Sequence, residues 1–349
     1  MYTTKNKSSI VFIGRFQPPT IAHYEMISEA LKKAEQVIIC IGSYKATKTL
    51  KNPWSYEERE NMIYSMFKKD QKIICIPLRD YMYNDTTWIS SLQNKVSDIV
   101  GHSNKNVSII GCFKDDSSYY LKFFPQWKLM DKPIIQYDGK PISATTVRDS
   151  LFSKLNDSLP SGLHNLIESK VAWNLDSYLA TTEYENLHKE YEYIKSYKKQ
   201  WENSPYPPIF VTTDAVVVQS GHVLVIKRKT HPGKDLWALP GGFIKDTEYI
   251  KKSMLRELKE ETRIELPKVI LEKSIKDVHV FDHPKRSLRG RTITHAHLIV
   301  LDNTKPLPVV RGDDDAKDAK WMSFNDLILN ESNFFEDHLF IIQYFINKL

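Results

Sequence analysis

The chain has 349 residues, of which 41% are hydrophobic, enough for two separate cores and more than one core usually holds. Its formal charge of +6 suits a protein that handles anionic ligands but is too small to argue for nucleic-acid binding. Three cysteines within apolar runs make neither a metal-ligand pair nor a disulfide framework, and no apolar run approaches the length of a membrane span. The stretch Met1 to Lys7 leads into a short strand and carries no secretion-type apolar region, so the cytoplasm is the expected compartment.

In chain order, Ser9 to Ile13 reads as an interior strand, followed by Gly14, the turn residues Gln17-Pro18-Pro19 and a helix from Ile21 to Ala34. Similar strands recur near 37–41, 73–76 and 107–111, at intervals that leave room for crossover helices. This α/β rhythm predicts a Rossmann-like parallel sheet covered on both faces, with ligands at the carboxyl ends of its strands. From about 160 to 201 the pattern is helical, and Ser204-Pro205-Tyr206-Pro207-Pro208 stops it. Beyond lies a hairpin over Phe210 to Lys227, a helix at 247–262, a strand at Thr294 to Leu301 and a last helix at 333–347. We expect domains at 8–170 and 205–349, joined by a helical extension and proline-containing linker at 171–204. The second is expected to be a mixed sheet flanked by helices, an α/β/α sandwich.

Two constellations carry chemistry. In the first, Thr20 and His23 share the opening face of a helix, where free backbone N–H groups favour phosphate. Ser143, Thr145 and Arg148 make a second anion-holding arrangement at another helix start, and Gly42-Ser43-Tyr44-Lys45, Asn52 and Arg59 lie between. In the second, Gly241-Gly242 precedes a helix on which Glu257, Glu260 and Glu261 share one face. Three packed carboxylates repel each other unless a divalent cation lies between them, and hard oxygen donors suit magnesium or manganese. A solvated charged face is the bland alternative.

The stretch Gly14 to His23 resembles the nucleotidyltransferase signature, with Ala22 where that family carries glycine; Ile142 to Arg148 resembles its second signature, with Ala144 at a serine position. Gly42-Ser43, Asn52-Pro53 and Glu58-Arg59 are similar in particular to the archaeal-type nicotinamide mononucleotide (NMN) adenylyltransferases. The resemblance implies adenylyl transfer from ATP to NMN, giving NAD and pyrophosphate. It sets Thr20, His23 and Arg148 on the ATP phosphates, with Gly14, Arg15, Phe16, Lys45, Asn52, Arg59, Ser143 and Thr145 around the nucleotide. Glycine at 14 would let the nucleotide approach closely. Trp88 is either a nicotinamide-stacking residue or part of the core. Another phosphorylated acceptor, such as phosphopantetheine, remains the alternative.

Gly242, Glu248, Arg256, Glu257, Leu258, Glu260, Glu261 and Ile264 resemble the Nudix signature, with Arg263 in place of its last glycine. The resemblance implies metal-dependent cleavage of a nucleoside diphosphate derivative, with Glu257, Glu260 and Glu261 as ligands of Mg2+ or Mn2+ and Arg256 orienting a glutamate. Segments around Trp237 and 311–316 resemble the ADP-ribose pyrophosphatase branch, whose products are AMP and ribose 5-phosphate. Arg228 is set as a phosphate contact or an ordinary surface residue, Gly241 and Gly242 as substrate-side turns, and Asp314 as part of a solvated acidic loop or else a positioner of the terminal ribose or water. A residue at 263 is expected to take a left-handed conformation at roughly 1 kcal/mol. If that loosens the turn, the second domain would bind nucleotide as a sensor without turnover. The expected partners are therefore ATP, NMN, NAD and ADP-ribose, with no nucleic acid, no membrane, and homo-oligomerisation left open.

Overall fold

The computed structural model describes residues 8–69, 71–101, 106–113, 116–155 and 157–349; Met1 to Lys7 lie outside them. The chain divides into two compact units, 1–189 and 190–349.

The first unit runs β1 (Ser9–Gly14), α1 (Ile21–Lys33), β2 (Gln36–Ile41), α2 (Tyr56–Ser65), β3 (Ile73–Pro77), α3 (Asp85–Val100), β4 (Val107–Gly111) and β5 (Lys128–Asp131). The short pair β6 (Gln136–Tyr137) and β7 (Lys140–Pro141) follows, then α4 (Ala144–Phe152), α5 (Ser169–Leu179) and α6 (Thr182–Lys199), within which the division falls. The sheet is parallel throughout, in the order β3-β2-β1-β4-β5. Every residue of β2 is buried, as strands covered on both faces require. Val11, Ile13, Ile38 and Cys40 meet Leu92 and Val96 of α3 on one side of the sheet. Strand order reverses between β1 and β4, so the loop after β1 opens at the switch point.

The second unit contains β8 (Ile209–Gln219), β9 (His222–Arg228), β10 (Trp237–Ala238), β11 (Gly241–Phe243), α7 (Ile250–Thr262), α8 (Lys268–Lys273), β12 (Ile275–Phe281), β13 (Arg291–Val300), β14 (Ala316–Ser323), α9 (Phe324–Leu329) and α10 (His338–Ile346). Its seven-stranded sheet is mixed: β8 pairs in parallel with β13, while β9 and β11 pair antiparallel to β8. Met254, Leu255 and Leu258 of α7 close a core with Ala215, Val217, Leu224 and Ile299, which turns the glutamate-bearing side of the helix toward β11. Arg286 and Asp337, both almost fully buried, form a two-pronged ion pair at 2.9 and 2.8 Å that anchors the start of α10.

His338, also buried, accepts the Leu239 N–H through Nδ1 at 3.0 Å. Burial holds its pKa below the usual imidazole value. Because the unfolded chain takes up the proton first, this histidine supports folding above about pH 6.5 and opposes it progressively below. The thermal midpoint of the second unit should fall between pH 7 and pH 5, and His338→Asn, which keeps an acceptor near Nδ1, should flatten that fall. An unchanged pH slope in the variant would refute the assignment.

No helix among the described residues is long and apolar enough to cross a membrane. Cys40 and Cys75 are free and buried, whereas Cys112 is only partly buried.

Candidate active sites

In the first unit the loop after β1 is folded by its own side chains. Phe16, in a left-handed conformation and 1% exposed, turns its ring back over Gly14, where a Cβ would meet it at 2.9 Å. Glycine at 14 thus makes room for the Phe16 ring, which packs inside the loop. Gln17 brackets Trp54, donating to its carbonyl at 2.9 Å and accepting its N–H at 3.1 Å. Thr20 caps α1, and His23 Nδ1 accepts the Thr20 N–H at 2.9 Å. That bond places the neutral ring's proton on Nε2.

Arg148, 7% exposed, donates to the Gln17 carbonyl and, at 3.1 Å, to Thr145 Oγ1. Ser143 caps the same helix by accepting the Thr145 N–H at 3.2 Å. Burial, and then the neighbouring Arg15, pushes the Arg148 guanidinium down to about 10, so it is still charged at neutral pH. Neither arginine forms an ion pair among the described residues. Two guanidiniums without an ion pair, beside the Thr20–His23 helix start, are chemically suited to a polyphosphate.

Arg59 has a different task from direct nucleotide contact. Fully buried, it donates to the carbonyls of Ser55, Arg15, Gly42 and Ser43, so it clamps the loops after β1 and β2 together. Lys45 is exposed and lies 5.9 Å from the Tyr44 ring centroid, outside the Thr20–Arg148 cluster's hydrogen bonds. Asn52 Oδ1 and Trp54 Nε1 are buried without a hydrogen-bond partner, which leaves polar capacity beside Gln17. Trp88 packs partly buried on the core and meets Tyr120 edge-on at 5.8 Å, favouring the packing role. Asp80 was not singled out by the sequence; it accepts from Ser43 Oγ at 2.7 Å and fixes the loop after β2.

In the second unit the two glycines of β11 position carboxylates. A Cβ on Gly241 would lie 2.2 Å from the Thr213 carbonyl, and one on Gly242 would strike the Glu257 carboxylate at 2.7 Å. Glu261, 4% exposed, accepts the Gly241 N–H at 2.8 Å. Arg256 grips Glu248 with two bonds and reaches Glu257 at 2.7 Å and Glu260 at 2.9 Å. Burial lifts the Glu261 carboxyl well above the usual range, with Glu257 adding to the effect. Burial also raises Glu257, against the pull of Arg256.

Among the described residues no three His, Cys, Asp or Glu side chains already stand as a metal cage. Glu257 and Glu261 are the expected principal ligands, with Glu260 a further ligand or a base. Glu257 and Glu261 each keep one oxygen free of hydrogen bonds among the described residues; Glu260 shares the Arg256 contact with Glu257 but is 40% exposed, at the edge of the box. Two desolvated carboxylates with unused oxygens fit a hard divalent cation, which would relieve the charge that burial penalises.

Arg263 takes the left-handed conformation expected of it, at φ 45° and ψ 31°, and its N–H still reaches the Lys259 carbonyl at 3.0 Å. Its side chain pairs with Asp313 at 2.6 Å, and the Asp313 N–H bonds the Glu261 carbonyl. The turn is held, so Glu257 and Glu261 keep their places. Arg263→Gly should leave ADP-ribose turnover within about threefold and stabilise the unit by up to about 1 kcal/mol, because the ion pair it removes is exposed. Melting and steady-state kinetics test this; a large loss of turnover would overturn it. Asp314 is exposed, also left-handed at φ 50°, and close enough to Glu257 to raise its pKa. Arg228 Nε donates to the Pro232 carbonyl at 2.8 Å.

The comparisons follow the same division. The cytidylyltransferase-like profile matches residues 11–150 and the NUDIX domain profile residues 209–343. A bifunctional NMN adenylyltransferase/ADP-ribose pyrophosphatase from Francisella tularensis, crystallised with AMP and a Mn ion, is 36% identical, with 98% of this chain and 99% of that one covered at a TM-score of 0.88. This chain belongs to that bifunctional family. Its halves also have separate relatives. A nicotinamide/nicotinic acid mononucleotide adenylyltransferase of Acinetobacter baylyi is 38% identical over 44% of this chain and 81% of its own length. An ADP-ribose pyrophosphatase of Methanocaldococcus jannaschii is 34% identical over 34% of this chain and 63% of its own. Within this bifunctional family, the Arg148 seat and the Glu257–Glu261 box fall in different profiles and different units.

Proposed function

We infer that the chain transfers the adenylyl group of ATP to NMN, releasing pyrophosphate and NAD, and separately hydrolyses ADP-ribose to AMP and ribose 5-phosphate. The observation that carries this reading is the match to a bifunctional relative along nearly the whole of both chains.

In the transferase unit the nucleophile is already a phosphate anion, so orientation and charge stabilisation suffice without a protein base. Arg148, held by Gln17 and Thr145, receives the departing pyrophosphate; His23 Nε2–H and the N-terminus of α1 share that charge. Asn52 contributes an unused acceptor to the nucleotide side. In the hydrolase unit Glu257 and Glu261 hold Mg2+ or Mn2+. When bound, the cation activates water and offsets charge on the diphosphate. Arg256 fixes Glu257 and Glu260, while the Gly241 N–H fixes Glu261. The partners are small nucleotides, without nucleic acid or membrane, and the setting is the cytoplasm.

Chromatography of products from the full chain tests both reactions. ATP with NMN should give NAD; ADP-ribose should give AMP only with Mg2+ or Mn2+, and EDTA should stop it. Failure to form NAD from NMN while another phosphorylated acceptor is adenylylated would sink the first assignment. Metal-independent AMP release, or none, would sink the second.

A further inference from the structure

The motifs of the hydrolase box leave the second half of α6 and the segment before β13 without a task, yet in the second unit they meet. Tyr197 and Trp201 set their rings 5.7 and 5.4 Å from Phe210, and Phe210 meets Phe243 edge-on at 5.8 Å. Phe243 directly follows the glycine pair that touches the Glu257 and Glu261 carboxylates. A chain of aromatic rings therefore runs from α6 to the edge of the acid box.

Two guanidiniums lie on these rings. Arg289 is 5.1 Å from the Phe243 centroid and 5.9 Å from that of Phe335, and Arg228 is 4.3 Å from the same Phe335 ring. Arg289 reaches Glu336 only at 3.9 Å, and Arg228 forms no ion pair among the described residues. Burial, followed by the nearness of Arg289, lowers the Arg228 pKa, and the same group feels the charge of Glu261. Ring stacking holds a guanidinium by its face and leaves edge N–H groups for a planar, two-pronged anion contact. The two cations share one ring with Glu336 as their common carboxylate, and a diphosphate would add the second negative charge.

We propose that Arg228 and Arg289 seat the diphosphate of a nucleoside diphosphate sugar beside Glu257 and Glu261, and that Phe243 and Tyr197 wall the nucleoside end. The hydrolase then includes α6 from Glu190 onward, and Glu190 accepts the Gly233 N–H at 3.0 Å. This rests on the hydrolase reading above.

Arg289→Ala and Arg289→Lys in the full chain, assayed with ADP-ribose and Mg2+, test the proposal. Arg289→Ala should raise KM by about tenfold or more, the usual worth of a charged hydrogen bond, while kcat stays within about threefold. Arg289→Lys should fall between parent and alanine, and NAD synthesis should be unchanged. An unaltered KM in both variants overturns the seat. If the alanine variant loses the thermal transition of the second unit, the lysine variant decides, since it keeps the charge and loses the fork. If the parent itself does not hydrolyse ADP-ribose, calorimetric binding separates the two readings: binding weakened by Arg289→Lys upholds the seat although hydrolysis fails, and no binding by the parent overturns both.

Discussion

Replacing Glu261 by glutamine should lower ADP-ribose hydrolysis by more than about a hundredfold, since losing only an outer partner of a metal ligand already has effects approaching that size. The reason is specific to the site. The carboxylate is 4% exposed, one oxygen takes the Gly241 N–H, and the other is unused among the described residues. Glutamine keeps an acceptor for Gly241 but loses the charge that makes a hard-cation ligand. Burial disfavours that charge in the absence of metal, so the metal-free variant should melt no lower than the parent. Added Mg2+ or Mn2+ should raise the parent's hydrolase transition, by about 2.7 kcal/mol at a hundred times Kd, and leave that of Glu261→Gln unmoved. Glu257→Gln should behave alike, with NAD synthesis intact in both. Retention of hydrolysis, or an undiminished metal-induced shift, would remove Glu257 and Glu261 from the metal site.

The residues differ in how legible these roles were. Strands such as Gln36–Ile41 announce themselves because burial on both faces demands an unbroken apolar run. The left-handed turn at Arg263 was also legible, since the spacing of the box puts a helix end there and a side chain cannot change that geometry. The edge strand Lys128–Asp131 was not: most of it is exposed, so pairing with β4 leaves no hydrophobic pattern. Arg59 looked like a ligand because arginine near a phosphate site usually is one; its four carbonyl partners come together only when β1 and β2 lie side by side. Arg289 had no local signal at all, because Phe243 and Phe335 come from distant stretches of chain. Local periodicity carries the elements and the acid box, whereas the cation seats depend on contacts that only the tertiary fold creates.

Arg148→Ala should cut NAD synthesis by about a hundred- to a thousandfold, the size of effect seen when one preorganised donor to developing charge is removed, and leave ADP-ribose hydrolysis unchanged. Held by the Gln17 carbonyl and Thr145 Oγ1, this guanidinium needs no reorganisation when pyrophosphate departs. Lysine restores charge but cannot hold both contacts and present a fork, so Arg148→Lys should recover only part of the rate. Stability separates this residue from its buried neighbour. Arg148 lacks an ion pair and burial works against its charge, so Arg148→Ala, which strands the Gln17 carbonyl alone, should lower the melting of the first unit much less than Arg59→Ala. Arg59→Ala strands four carbonyls and should cost about 3 kcal/mol or more. A variant pair measured side by side distinguishes the two tasks: if Arg148→Ala loses stability in step with activity, Arg148 is a clamp like Arg59 and the polyphosphate seat must lie elsewhere.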